Sequence, residues 1–303
     1  MSQVQPFPEV IDASMISAFK SCFRKGAWEY FDHWKPKDQS VHLHAGKAFA
    51  SGLEEARIQF YLNGRPEAEC VAMGVGKLLR EYGDFECPED SAKSATRMAG
   101  AFEFYFDQYP LSKDKAVPVT MPGGQRGIEF GFVEPIPEVL HPETKQPLLY
   151  SGRMDMLCEY AGGMFGEDDK TTSQLGASWA KQWDLRSQFT GYCWGAQRAG
   201  FPLQGFLVRG VSILKTKYDT QQAITYRPQW MIDRWYEELI AILGRMKVAW
   251  QTDRWPLNLD NACNEYGGCS FKKACLSQDP SPWLAIDFQR RKWDPVTREE
   301  IVL

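Results

Sequence analysis

The fold turns on SGRMDMLCEYAGGMFGEDDKTTS, residues 151–173. Two alternating stretches, Leu149–Leu157 and Met164–Lys170, flank Ala161-Gly162, which reads as a two-residue hairpin turn. Antiparallel pairing about that turn sets Asp155 opposite Asp168. Directly opposed residues project from one face of a sheet, with Cβ atoms about 5 Å apart. Lys170, two residues beyond Asp168, shares that face, and Asp169 points the other way. A register slip of one residue would take the group apart. Opposed carboxylates repel unless something cationic lies between them. A divalent metal meets that need, and oxygen ligands suit Mg²⁺ or Mn²⁺, which accept phosphate oxygens as further ligands. Lys170 could then orient or activate the attacking water, or stabilise charge on a phosphate. The same residues also read as a solvated acidic patch beside a lysine.

Working outward, residues 12–34 read as a helix capped by Ser14 or Asp12, with Ile16, Phe19, Phe23, Trp28 and Phe31 in a broken helical period. Gly46–Leu62, 66–82 and 90–108 are further helices, and Pro110–Pro122 is a proline-punctuated loop. Gly127–Val133 alternates as a strand. A helix over 179–199, ending at Gly200 and Pro202, places Gln188 and Tyr192 on one face. Gln204–Leu214 is a strand, and Pro228–Val248 a long helix begun by proline. Residues 255–303 read as irregular. The expected class is α/β, a central sheet flanked by helices, in a single domain over 1–303. It has a helical N-terminal part (12–110), an α/β core (125–250) and a Cys-rich segment and tail (255–303).

The 303 residues carry 35 Lys+Arg against 39 Asp+Glu, a net charge of −4, so bulk charge does not attract nucleic acid and any DNA binding must be local. A 24% charged fraction with 14% aromatics excludes a disordered chain. No apolar run reaches the roughly 20 residues that span a bilayer. MSQVQPFPEVIDAS lacks the basic start and apolar core of a signal peptide, so a cytoplasmic protein is expected. In that reducing setting the eight cysteines are not a disulfide framework.

Cys70, Cys87, Cys158 and Cys193 fall in or beside regular elements and read as buried thiols. Cys263, Cys269 and Cys275 recur in CNEYGGCSFKKAC among turn residues, and Cys22 could supply a fourth ligand. An iron–sulfur cluster, a zinc ion and a set of unrelated thiols are the three readings of that group.

GRMD followed by EDDKTT and QFTGY resembles the RecB-type branch of the PD-(D/E)XK nuclease superfamily. The early Cys22 with three late cysteines resembles its iron–sulfur subgroup, and NACNEYGGCSFKKAC is most like phage-encoded single-domain members. The likeness runs from about residue 14 to 275, and no G-x4-GK[ST] phosphate loop is present for a helicase motor. It implies a restriction-endonuclease-like sheet with an iron–sulfur appendage. Asp155 and Asp168 are its metal ligands, Asp169 lends a backbone carbonyl, and Lys170 is catalytic. Gln188 and Tyr192 shape the DNA side, and Cys22, Cys263, Cys269 and Cys275 hold a [4Fe–4S] cluster.

One position departs from the family's Gly-x3-His-x2-Leu-Glu helix. Gly46, Leu53 and Glu54 match, Ala50 takes the place of the histidine ligand, and His42 and His44 lie out of register. Water, Glu54 or His44 is left to fill that place, water or Glu54 being favoured. The expected function is a Mg²⁺- or Mn²⁺-dependent, single-strand-preferring DNA exonuclease in recombination or repair. The alternatives are a DNA-end or single-strand binding module, a partner of a recombinase or single-strand-binding protein, and a zinc-stapled structural protein. Arg24, Lys25, Arg153, Lys181, Arg186 and Lys215 are candidate phosphate contacts. Trp179, Trp183 and Trp194 could stack on bases, although core packing is the ordinary role of tryptophan.

Overall fold

The computed structural model describes residues 5–38, 40–264 and 268–303. The segment 265–267 in the cysteine-rich loop and the first four residues of the N-terminal reading lie outside the described residues. In chain order the elements are β1 (Val10–Asp12), α1 (Ala13–Ser21), α2 (Phe23–Tyr30), β2 (Trp34–Pro36), α3 (Val41–Tyr61), α4 (Glu67–Tyr82) and α5 (Ala95–Gln108). Next come β3 (Val117–Pro118), β4 (Ile128–Leu140), β5 (Pro147–Tyr160), β6 (Gly163–Thr172), α6 (Ala177–Lys181), α7 (Ser187–Arg198), β7 (Gly205–Ile213) and β8 (Tyr218–Tyr226). The chain closes with α8 (Gln229–Thr252), α9 (Lys272–Cys275), α10 (Ser281–Asp287), β9 (Phe288–Asp294) and β10 (Glu299–Val302).

The class is α/β, as expected. A mixed seven-stranded sheet has the order β1-β5-β6-β7-β8, with β3 and β4 also paired to β5, and β10-β9-β2 make a second sheet. Two compact units share the chain. The terminal unit holds residues 1–38, 132–152 and 232–303, and the hairpin unit holds 39–131 and 153–231.

In the hairpin unit, β5 and β6 pair antiparallel with Met156 opposite Glu167 and Tyr160 opposite Gly163, the register that the Ala161-Gly162 turn dictates. Both turn residues have positive φ, 49° and 79°, the primed-turn geometry that matches strand twist. β6 and β7 pair in parallel, Asp169 beside Arg209, with α6 and α7 in the crossover. β7, GFLVRGVSI, is buried along its whole length, as a central strand covered on both faces must be. Val211 and Ile213 join Phe49, Leu53, Leu78 and Phe102 of α3, α4 and α5 in the main core. Phe206, of opposite parity, stacks on Phe189 of α7 at 4.6 Å. Helices therefore cover the two faces with opposite residue parities.

The expected helix over 179–199 is two helices. Arg227 donates to the Trp183 carbonyl at 2.7 Å and to Thr190 at 2.8 Å, satisfying backbone that a continuous helix would have paired internally. β8 carries no strong apolar alternation and was not legible as a strand.

In the terminal unit the helix expected over 12–34 breaks at Cys22, which is extended (φ −162°, ψ 125°). Asp12 is the cap, accepting from Met15 N at 2.7 Å. The break lets Phe19 lie across Gly26, where a Cβ would come within 2.7 Å of its ring. Residues 255–303, expected to be irregular, form α9, α10 and the β9–β10 pair, and β9 also pairs with β2. Phe271 stacks on Phe288 at 4.4 Å and touches Trp28 at 5.2 Å, anchoring the cysteine-rich segment beside α2. No helix among the described residues is long and apolar enough to cross a membrane.

Gly205 gives a direct check on the β7–β8 pairing. A Cβ there would fall 1.9 Å from the Thr225 carbonyl oxygen, which is backbone and cannot step aside. Gly205→Ala should lower unfolding stability by at least about 2 kcal/mol in urea titration. A change within experimental error would contradict that packing.

Candidate active site

Strand β6 separates two sets of charges by parity. Glu167 and Asp169 face α3 and α5, while Asp168 and Lys170 face the other way. Arg57 of α3 reaches Glu167 Oε1 at 2.5 Å and Asp169 Oδ2 at 2.8 Å. Tyr105 of α5 donates to Asp169 Oδ1 at 2.6 Å. Arg209 of β7 makes a two-pronged bond to Asp114, at 2.6 and 2.7 Å, and lies 3.4 Å from Glu167 Oε1. Arg57, Glu167 and Arg209 are at most 3% exposed. Burial opposes both guanidinium charges, but the surrounding carboxylates hold them protonated. Burial also pushes the Glu167 carboxyl up to about 7 against the pull of Arg209 and Arg57, and its Oε2 has no hydrogen-bond partner.

On the other face Lys170 is ion-paired with Asp168. Asp168 is 3% exposed. The β5–β6 ladder gives way beyond Met156–Glu167, and the Asp169 amide instead donates to Asp155 Oδ2 at 2.8 Å. Burial raises the Asp155 carboxyl well above the usual carboxylate range, with Asp168 and Glu129 adding to the effect and Lys170 opposing it. Burial works against the Lys170 ammonium, yet Asp168 and Asp155 outweigh it, so the lysine stays protonated. Asp155, Asp168 and Lys170 thus come together as the hairpin register requires.

Gln188 and Tyr192 also meet as their spacing predicts. Gln188 Nε2 donates to the Tyr192 hydroxyl at 2.9 Å, and Tyr192 is buried against Phe206 and adds to the field at Lys170. Arg153 pairs with Glu129 at 2.9 Å, with its side chain 42% exposed. Glu54 is half-buried on α3, whose Gly46 and Arg57 face Thr171 and Glu167. That is the opposite side of β6 from Asp168. Glu129 is a further acid acting on Asp155. His44 is engaged elsewhere, bonded to the Tyr82 carbonyl at 2.8 Å and stacked on Phe85 at 4.1 Å. Trp179, Trp183 and Trp194 are buried core residues.

Sequence reasoning missed Arg57, Glu167, Arg209, Asp114, Tyr105 and Glu129. One signal was present: a lone arginine within the apolar run GFLVRGVSI must have buried partners. Glu129 gave none, although it holds a left-handed φ of 50°, uncommon for a residue with a side chain.

In the terminal unit, Cys22 accepts from the Asn258 amide at 3.4 Å, Cys269 N donates to the Cys263 carbonyl at 3.1 Å, and Cys275 N to that of Phe271 at 2.9 Å. Burial, with Cys269, Cys22 and Cys263 adding to it, raises the thiol of Cys275 to about 11. Burial raises Cys269 as well, with Cys22 and Cys263 contributing. Four thiols from both ends of the chain therefore feel one another. Among the described residues no set of three or more His, Cys, Asp or Glu side chains is placed so that it could hold a metal ion.

No family model matches the sequence, and no curated protein matches it in a sequence search. Among solved structures, a candidate exonuclease from Eubacterium rectale is similar over 85% of this chain and 88% of its own, with a TM-score of 0.49 and 13% identity. The protein SSO0001 is similar over 75% of this chain and 86% of its own, with a TM-score of 0.27 and 14% identity.

Removing Arg57 would leave Glu167 and Asp169 buried without their shared cation. Arg57→Ala should cost about 3–5 kcal/mol in denaturant unfolding, and Arg57→Lys should recover only part, because an ammonium lacks the planar fork that spans two carboxylates. A loss under about 1 kcal/mol would contradict the network.

Proposed function

We propose that the protein is a metal-dependent deoxyribonuclease of the PD-(D/E)XK kind, an exonuclease that prefers single strands and serves recombination or repair. One observation carries the reading: Asp155, Asp168 and Lys170 share one face of a hairpin, where burial and Asp168 keep the Asp155 carboxyl proton-hungry. With Glu129 and Arg153 paired to each other, the carboxylates of Asp155 and Asp168 exceed the positive charge of Lys170. That excess suits a hard divalent cation, which needs only one or two carboxylates and fills its remaining positions with water and phosphate oxygens. The donors fit Mg²⁺ or Mn²⁺.

Such an ion, when bound, supplies Lewis-acid polarisation of the phosphate and eases deprotonation of water. Asp155 and Asp168 hold it, and the Asp169 backbone carbonyl is the further oxygen we assign. The Asp169 amide orients Asp155. Protonated Lys170 is a donor: its Nζ positions the attacking water or neutralises charge developing on the phosphate oxygens. Tyr192, held by Gln188 and Phe206, walls the site and excludes water. Arg153 exchanges Glu129 for a DNA phosphate. In the terminal unit the four thiols are the donor set of a [4Fe–4S] cluster, which we assign a structural role in clasping the chain ends.

Ala50 favours a second reading, a DNA-end or single-strand binding module or a recombinase partner with this fold, since His44 is committed to Tyr82 and Phe85. Activity separates the two. Protein purified without oxygen should degrade end-labelled single-stranded DNA with Mn²⁺, and Asp168→Ala and Lys170→Ala should each cut the rate at least about 100-fold with an unchanged melting temperature. Absence of cleavage in the parent protein, or full activity in either variant, would remove the nuclease reading.

The raised Asp155 carboxyl gives a pH prediction. Asp155 binds its proton more tightly than an ordinary carboxylate does, and a metal competes with that proton, so affinity rises as pH climbs through the folded-state value. Calorimetric Mn²⁺ affinity should be higher at about pH 8 than at about pH 6, with proton release at the lower pH. Equal affinities without proton release would contradict the assignment.

A further inference from the structure

A groove formed wholly within the terminal unit runs beside α8. Its larger part, about 920 Å³, is lined by Arg24, Arg245, Val248, Arg254 and Trp255 among others. A second part of about 470 Å³ shares Phe23, Arg245 and Pro256 with it and extends to Lys20 and Cys22. The hydrogen bond from Asn258 N to Cys22 and the one from Arg24 N to the Pro256 carbonyl, at 3.2 Å, fasten the segment after α8 to the break between α1 and α2. The groove is therefore a built feature of the fold.

Its charges are unbalanced. Lys20 is paired with Glu238 at 2.7 Å, and Asp253 accepts the Trp255 indole N–H at 3.2 Å. Arg24, Arg245 and Arg254 make no ion pair among the described residues. Arg245 lies over the Phe23 ring at 4.7 Å, and Arg24 stands 5.6 Å from the Trp28 ring centre with its Nε buried and without a hydrogen-bond partner. A guanidinium stacked on a ring keeps its in-plane N–H groups available, and that edge matches a phosphate. Between the cations the walls are apolar: Val248 is 60% and Leu257 47% exposed, and Trp255 is half-buried. In a chain of net charge −4, three guanidiniums facing one committed carboxylate reverse the local sign.

Spaced anionic groups with flat apolar bodies between them complement this surface, which is the chemistry of a single-stranded nucleic acid. We propose that the groove is a binding track for single-stranded DNA, with Arg24, Arg245 and Arg254 taking phosphates and Trp255, Val248 and Leu257 taking base faces. It uses none of the residues of the acidic hairpin. The choice of DNA over another phosphodiester polymer rests on the nuclease reading; the groove itself does not.

The test is fluorescence anisotropy of the full chain with a labelled single-stranded oligonucleotide in EDTA, over a range of salt. Arg245→Glu combined with Arg254→Glu should weaken binding at least about tenfold and lower the salt slope by about two, while Lys113→Glu, at an exposed side chain in the other unit, should not. Should the double reversal lower the melting temperature, Arg254→Gln, at an exposed side chain, should lower the slope by about one. Unchanged affinity and slope in folded variants would overturn the track, as would tighter binding of an acidic apolar peptide than of the oligonucleotide. The two readings fail separately. A protein that binds through these arginines but never cleaves keeps the track and loses the nuclease; one that cleaves, with binding indifferent to the reversal, does the opposite.

Discussion

The guanidinium of Arg57, buried between Glu167 and Asp169, is the constraint on which the hairpin unit depends. Those two carboxylates flank Asp168 along β6, so fixing them on one face fixes Asp168 and Lys170 on the other. Tyr105 and Arg209 complete the arrangement and tie β6 to α5, β7 and Asp114. An isolated buried charge costs several kcal/mol, and a satisfied set costs far less, so the network tolerates little misplacement. Burial lifts Glu167 to about 7 there against the pull of Arg209 and Arg57, and Asp169 and Asp114 add to the effect. Precision on the Glu167–Asp169 face becomes precision on the Asp168–Lys170 face.

On the Asp168–Lys170 face the balance is left incomplete. Lys170 answers part of the negative charge of Asp155 and Asp168, and Glu129 adds more from β4. A protein that needed only stability would fill such a site with apolar side chains. Keeping opposed carboxylates beside one protonated lysine makes sense where a cation and a phosphate are to be brought together.

The hairpin was legible because its logic is local. Ala161 and Gly162 fix the turn, the turn fixes the register, and a period of two assigns each side chain to a face. The Gln188–Tyr192 bond follows as simply from helical spacing. The partners of β6 were hidden because Arg57 lies 110 positions from Glu167, and Arg209 lies 95 from Asp114. Nothing in a single sequence pairs residues that far apart. The break at Cys22 and the pairing of β2 with β9 were invisible for the same reason: each depends on chain ends meeting, Asn258 at Cys22 in one case and β9 at Trp34 to Pro36 in the other. Glu54 was placed by resemblance alone, since no spacing within the hairpin bears on it.

On the proposed nuclease reading, a divalent cation is held at the Asp155–Asp168 face and not at the Glu167–Asp169 face. Anomalous diffraction from crystals grown with Mn²⁺ distinguishes the two. One strong peak is expected within coordination distance of both Asp155 and Asp168, with Arg57 still bridging Glu167 and Asp169. A peak among Glu167, Asp169 and Asp114, or no peak at the hairpin at saturating Mn²⁺, would contradict it.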